Sequence, residues 1–283
     1  MRFKILSLFV AIQVLSFGLW SGLTHAQILN PQSSATVQVH PAPAKKVLPS
    51  LPSKAAVVTQ NKSVLSLNFS TRNMGDESVF LNSIKTNQIE TALGKLPVKQ
   101  AESVKNIILD YDAQAHRGLG GNSMIILRAV NMTTEEMIGV LVHELGHNVD
   151  YAYLKPSDEK QKTVFKDGTL ALYESDPSLD FYRISWLSNT QLKKAAGSMD
   201  FVSGYALSDP FEDFAESYVY YVLHNKDFKV LATSSEAIYA KYQFMKYQVF
   251  GGVEFDTGDG LVDKETRPWD ITVLNYDLNA FLS

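Results

Sequence analysis

The chain has 283 residues, 45% of them hydrophobic, with no cysteine and a formal net charge of −4. Without cysteine there is no disulfide, no thiolate metal ligand, no cysteine nucleophile and no lipidated N-terminal cysteine. The slight acidity, with no long basic run, argues against nucleic acid or an anionic membrane surface as a partner.

Arg2 and Lys4 precede an almost wholly apolar run from Ile5 to Trp20, and Thr24-His25-Ala26 ends on a small residue. That is the layout of a secretory signal peptide cleaved after Ala26. An uncleaved anchor over Ile5 to Leu23 is the alternative, weakened by Gln13, Gly18, Ser21 and Gly22. No later stretch approaches the ~18 apolar residues that a second span would need. The expectation is an exported chain, periplasmic or extracellular, off the membrane once residues 1–26 are removed. Residues 27–63, which include "HPAPAKKVLPSLPSKAA", are rich in Pro, Ala, Ser, Gln and Lys and poor in large apolar side chains. Such a segment buries too little surface to order itself and is expected to be a disordered linker. Residues 64–283 are long enough for one domain, expected to be monomeric.

Within that domain "ESVKNIILDYD" (102–112) and "GNSMIILRAV" (121–130) are short runs rich in Ile, Leu, Val and Tyr. Turn formers bound them, among them "RGLGGN" at 117–122, and they predict strands. "NMTTEEMIGVLVHELGHNVDYAYL" follows. Thr133 with Glu136 fits a capping box, and Ile138, Leu141, Val142, Leu145 and Val149 recur at helical spacing. A helix from about Thr134 to Tyr153 is predicted. His143 and His147 lie four apart on it, hence one turn apart on one face, where two imidazoles can reach one cation with Glu144 beside it. Gly146 weakens a helix by ~1 kcal/mol relative to Ala, which makes sense if something crosses closely there. Asp150 falls on the same face. It is placed either to accept a hydrogen bond from a ligating histidine or to be a plain helix-end acid.

Two histidines do not complete a catalytic zinc site, which takes three protein ligands. His116 and His224 are the other imidazoles of the domain and read more simply as surface or loop residues. Carboxylates in "SGYALSDPFEDFAESYVYYVL" (203–223) are better placed. Asp209-Pro210 starts a helix, Glu212 sits in its first turn, and Glu216 lies one turn on along the same face. Ala215 keeps that surface thin where a neighbouring helix can cross. From spacing alone Glu212 is either a ligand or a cap working with Asp209. Glu216 is either a support for the histidines or a solvated helix residue, and Tyr205 either a site residue or a packed core tyrosine.

His143-Glu144-x-x-His147, followed after a long gap by Tyr205 and, seven residues later, Glu212-x-x-Ala215-Glu216, resembles the gluzincin metallopeptidases. The likeness is greatest to the branch holding the anthrax lethal factor catalytic domain and the secreted Pro-Pro endopeptidases, and it covers roughly residues 100–225. It implies an α+β, zincin-like fold: a mixed sheet with an edge strand, an active-site helix and a helical C-terminal lobe. Met124 to Arg128 would be the edge strand on which an extended peptide substrate pairs. The resemblance further implies one Zn2+ held by His143, His147 and Glu212, with Glu144 as general base and Tyr205 assisting the transition state. Glu216 and Asp150 would support the histidines. The implied activity is exported, zinc-dependent endopeptidase hydrolysis of protein or peptide substrates. A non-catalytic exported binding module on the same fold and a zinc hydrolase of cell-wall peptides are the rivals.

Residues 154–200 look partly loop-like ("KPSDEKQKTVFKDG", "ESDPSLDFYRISW") and are candidates for shaping specificity. Asp256-Thr257-Gly258 matches the aspartic peptidase triplet, but one copy cannot supply the facing carboxylate pair. With the acids around it, it reads as a solvated turn.

Overall fold

In the computed structural model, residues 65–74, 79–114, 116–258 and 265–283 are described. The expected leader (1–26) and linker (27–63) lie outside them. Among the described residues the architecture is α+β, with eight helices, one mixed four-stranded sheet and two small hairpins. Both apolar runs form strands, shorter than the runs themselves: β2 is Asn106–Asp110 and β4 is Met124–Arg128. They pair in parallel with each other, and β2 pairs in parallel with β1 (Asn68–Arg72). Helix α1 (Val79–Gly94) and the one-turn α2 (Val98–Ala101) occupy the crossover from β1 to β2. Four of the five β2 residues are buried, as expected of a strand covered on both faces.

Two expectations change here. The glycines of "RGLGGN" do not merely punctuate. Gly118–Gly121 form β3, antiparallel to β4 through a two-residue turn at Asn122 and Ser123, whose φ angles are +51° and +61°. The sheet order is β1-β2-β4-β3, so Met124–Arg128 is an interior strand and the edge on its side of the sheet is β3. A run of three glycines in four positions carries almost no strand propensity, and packing against the next helix decides the matter.

That helix, α3 (Thr134–Asn148), begins where expected. The Thr133 hydroxyl accepts a hydrogen bond from Glu136 N at 3.1 Å. The reciprocal half of the capping box is not made, because the Glu136 carboxylate pairs with Arg117 at 2.9 Å. The last predicted turn, Val149–Tyr153, widens into a π-helix. Residues 154–200 are more ordered than their composition suggests. They hold the hairpin β5 (Lys162–Asp167) and β6 (Leu170–Tyr173), helix α4 (Ser178–Ser185), and the hairpin β7 (Trp186–Ser188) and β8 (Gln191–Leu192). Phe181 and Tyr182 of α4 are buried and anchor the segment.

Helix α5 (Pro210–Leu223) crosses α3 at Gly146. A Cβ there would lie 3.1 Å from Ala215 Cα and 3.2 Å from Tyr218 Cβ, so the small-residue pair Gly146/Ala215 permits the close approach. Helices α6 (Asn225–Ala232) and α7 (Glu236–Phe244) follow, and the short α8 (Leu278–Leu282) lies near the C-terminus. Aromatic rings fill much of this half: Phe181 packs edge-on to Phe214 (5.2 Å) and Phe244 (5.5 Å), and Tyr221 stacks on Phe250 (4.7 Å). Lys241 is fully buried among them. Its ammonium donates to Asp213 (2.7 Å to Oδ2) and to the Asp200 carbonyl (2.9 Å), over the Phe201 ring at 3.8 Å. No helix among the described residues is long and apolar enough to cross a membrane.

Candidate metal centre

At the α3/α5 crossing the imidazoles meet a carboxylate. His143 Nε2 is 3.1 Å from Glu212 Oε2, and His147 Nε2 is 3.4 Å from the same oxygen. One atom from each of the three residues lies within 4.8 Å of the others, the only such grouping of possible metal-ligand side chains among the described residues. Asp209 caps α5 by accepting from Phe211 N (2.8 Å) and Glu212 N (2.9 Å). Of the two sequence readings of Glu212, the structure favours the one that turns its carboxylate to the histidines: Asp209 makes the cap, and the Glu212 side chain takes no part in it.

Glu216, one turn along α5, is fully buried behind them. Its Oε1 is 2.9 Å from His143 Nδ1, which leaves Nε2 facing Glu212. Its Oε2 accepts from Ser203 Oγ (2.6 Å) and Ile271 N (3.0 Å). Three contacts fix the carboxylate, and through it the ring plane and tautomer of His143. Asp150 is not a partner of this kind. Its Oδ2 accepts from the Tyr182 phenol at 2.5 Å, and no hydrogen bond joins it to either histidine. The π-turn that begins at Val149 departs from the regular helical register on which the expected placement of Asp150 depended. Burial pushes its carboxyl up to about 7, against the hydrogen bond from Tyr182.

Glu144 lies under the edge strand. A Cβ on Gly118 would sit 2.4 Å from Glu144 Oε1, and one on Gly120 would sit 2.4 Å from the Glu144 carbonyl oxygen. A side chain at Gly118 would displace the Glu144 and Val140 side chains and one at Gly120 would push on the helix backbone, so these two glycines of β3 answer to the site. The Gly120 N–H donates to the Glu144 carboxylate. Asn148 ties the same region together, its amide donating to the carbonyls of Glu144 (3.1 Å) and Met124 (3.2 Å). Tyr205 stands on a 3-10 turn, Tyr205–Leu207, and its phenol donates to Glu212 Oε1 at 3.3 Å. Its ring centroid is 6.1 Å from that of His143.

The electrostatics of the cluster favour positive charge. Burial disfavours the charged form of His143, but hydrogen bonds and charge from Glu212 and Glu216 outweigh it and raise its pKa well above 6.5. Burial would raise Glu212, yet His147 and His143 hold it far below the ordinary carboxylate range. Burial raises Glu144, opposed by the two histidines. Burial, then the charges of Glu212 and Glu144, raise Tyr205 and keep the phenol a donor. Two imidazole nitrogens and a carboxylate oxygen converging where positive charge is stabilised fit a divalent cation of the kind bound by nitrogen and oxygen donors.

The remaining candidates stand apart. His116 is exposed. His224 is buried against Tyr220 and Tyr276, with its pKa lowered by burial to about 4, and is outside the cluster. In the DTG triplet Asp256 pairs with Lys226 at 3.0 Å on the surface, and the Thr257 hydroxyl donates to the Leu223 carbonyl. Sequence reasoning missed Ser203, Asn148, Arg117 and the segment around Ile271. Contacts remote in sequence give these residues most of their role, as when Asn148 reaches Ser123 and Met124 and Ser203 reaches Glu216. Comparison with protein-family models, curated proteins and solved structures finds no match.

Proposed function

We propose that the chain is a zinc-dependent peptide hydrolase of the gluzincin type, on a zincin-like fold, acting outside the cytoplasm. The observation that carries this reading is the convergence of His143, His147 and Glu212 beside a buried Glu144 and a protonated Tyr205. Charge and spacing alone would equally suit a cation held for structure. A carboxylate adjacent to the cluster and not among its ligand atoms is what hydrolysis additionally needs.

His143, His147 and Glu212 would hold the ion. A bound zinc supplies Lewis acidity that acidifies water and polarises a carbonyl. Glu144, aimed by the Gly120 N–H and made more basic by burial, would take a proton from the attacking water and return it to the leaving amine. Tyr205 turns its phenol from Glu212 to the oxyanion as negative charge develops there. Glu216 keeps His143 in the tautomer that presents Nε2. The outer edge of β3, unpaired among the described residues, offers backbone groups to an extended peptide, in place of the interior strand Met124–Arg128.

The test is metal analysis joined to digestion of a proteome-derived peptide library, with and without chelator, on wild type, His143→Ala and Glu144→Gln. About one zinc per chain is expected in the wild type and little in His143→Ala. Glu144→Gln should keep its zinc while turnover falls at least ~10²-fold. Full wild-type cleavage in chelator would overturn the reading, and loss of zinc in Glu144→Gln would overturn the division of roles.

A further inference from the structure

Trp269 is the most exposed large hydrophobic residue among those described, at 67%, yet it is held rigidly beside the site. The carbonyl before it, of Pro268, accepts from Gly204 N at 2.8 Å, and its own carbonyl accepts from Tyr205 N at 2.7 Å. On one flank the Arg267 guanidinium donates to the carbonyls of Phe201 (2.8 Å) and Met199 (3.0 Å). On the other, Asp270 pairs with Arg117, the residue that leads into β3. The indole itself rests on Gly204, where a Cβ would come within 2.7 Å of its Cε3 atom. Its centroid is 6.4 Å from that of Tyr205, whose other neighbour is His143 at 6.1 Å.

Single exposed hydrophobics are ordinary and need no explanation. An indole whose backbone is tied down at both sides and which packs against Gly204 one ring away from Tyr205 differs in two respects. It presents a large apolar face to solvent, and covering it costs little ordering, because the backbone is already held and the indole packs against Gly204 and Tyr205. We infer that Trp269 is a specificity-determining wall of the substrate site, receiving an apolar or aromatic side chain of a bound peptide. An extended peptide advances about 3.3–3.6 Å per residue, so the two ring-to-ring steps place that side chain within ~4 residues of the reacting bond. That the ligand is a peptide, and where its reacting bond lies, rest on the hydrolase reading; that the indole receives an apolar side chain is tested separately by binding.

The test uses binding rather than turnover. Fluorescein-labelled octapeptides of Gly and Ser, with a single Phe walked through every position, are titrated into the full chain carrying Glu144→Gln in zinc-containing buffer. Fluorescence anisotropy should show one or two neighbouring positions where Phe tightens Kd about tenfold over the Phe-free peptide. Adding Trp269→Ala should reduce that gain to within about twofold, whereas Trp269→Phe should keep most of it. If Trp269→Ala fails to fold, Trp269→Gln, which keeps the backbone pairings, serves in its place. A Phe gain at no position, or one untouched by loss of the indole, overturns the inference. A Trp269-dependent gain with no peptide cleaved by the wild type would overturn hydrolysis and leave the wall standing. Cleavage without such a gain would do the reverse.

Discussion

Helix α3 and the α5 side of the site are assembled by opposite means. On α3 the chemistry is contiguous: His143, Glu144 and His147 fall within one turn of a helix whose start is set by Thr133 ten residues earlier. On the other side α5 supplies Glu212 and Glu216, and apart from the Asp209 cap what aims them comes from elsewhere. Ser203 and Ile271 hold Glu216, Trp269 holds the backbone of Tyr205, and Lys241 neutralises Asp213 next to Glu212. The first side is written in local sequence and the second in tertiary contacts. Substitutions should therefore have narrow effects on the first and broad ones on the second.

The largest such effect is expected at Lys241, whose loss leaves the buried Asp213 carboxylate with only the Trp186 indole N–H at 3.0 Å. Breaking one partner of a buried pair typically costs ~3–5 kcal/mol. Lys241→Met should lower stability by about that much in urea denaturation, and Lys241→Met with Asp213→Asn should recover a large part. A single variant within ~1 kcal/mol of wild type would show that the pair is not integral to this half.

This contrast also explains what could be read from sequence. The β2 and β4 runs, the capped helix α3 and the two histidines were legible because apolar periodicity, a cap and residue spacing are all short-range signals. Glu212 was open between two readings, and only the tertiary arrangement shows its carboxylate turned to His143 and His147 while Asp209 makes the cap alone. The edge strand was misplaced because Gly118 and Gly120 carry no strand signal of their own. Their identity answers to Glu144, more than twenty residues on. Asp150 stayed open between a histidine support and a helix-end acid because the widened turn at Val149, which leaves it paired with Tyr182, has no trace in residue types. Lys241 was invisible for a related reason: a lysine on an amphipathic helix reads as solvated until its partner is known.

A middling effect is expected at Glu216. Glu216→Ala removes the acceptor of His143 Nδ1 and strands the Ile271 N–H in a buried place. Zinc affinity, measured by competition with a chromogenic chelator, should fall ~10–100-fold, as when other carboxylates behind a ligating histidine are removed. Ser203→Ala takes away one of the three contacts on that carboxylate and should lie between wild type and Glu216→Ala. If zinc affinity in Glu216→Ala were unchanged, His143 would be oriented by the helix alone and the α3 side would be self-sufficient.

The smallest effect separates the two sides most directly, because each begins with a helix cap of comparable strength. Thr133 accepts one backbone N–H, that of Glu136, at a point ten residues from His143. Asp209 accepts two, those of Phe211 and Glu212, and the second belongs to a residue of the cluster. Removing a cap of either kind typically costs ~1 kcal/mol. Thr133→Ala and Asp209→Ala should therefore lower the melting temperature by similar amounts, about 2–4 °C for a domain of this size. They should differ in zinc affinity. Thr133→Ala should leave it unchanged, since the α3 register is held by the buried face that includes Ile138, Leu141, Val142 and Leu145. Asp209→Ala frees the first turn of α5, the turn that aims the Glu212 carboxylate, and should weaken zinc binding several-fold. Asp209→Ser, which keeps a capping oxygen, should restore most of it. Equal zinc affinity in the two alanine variants would mean that Glu212 is positioned from further along α5, and that the cap contributes stability and nothing to the site.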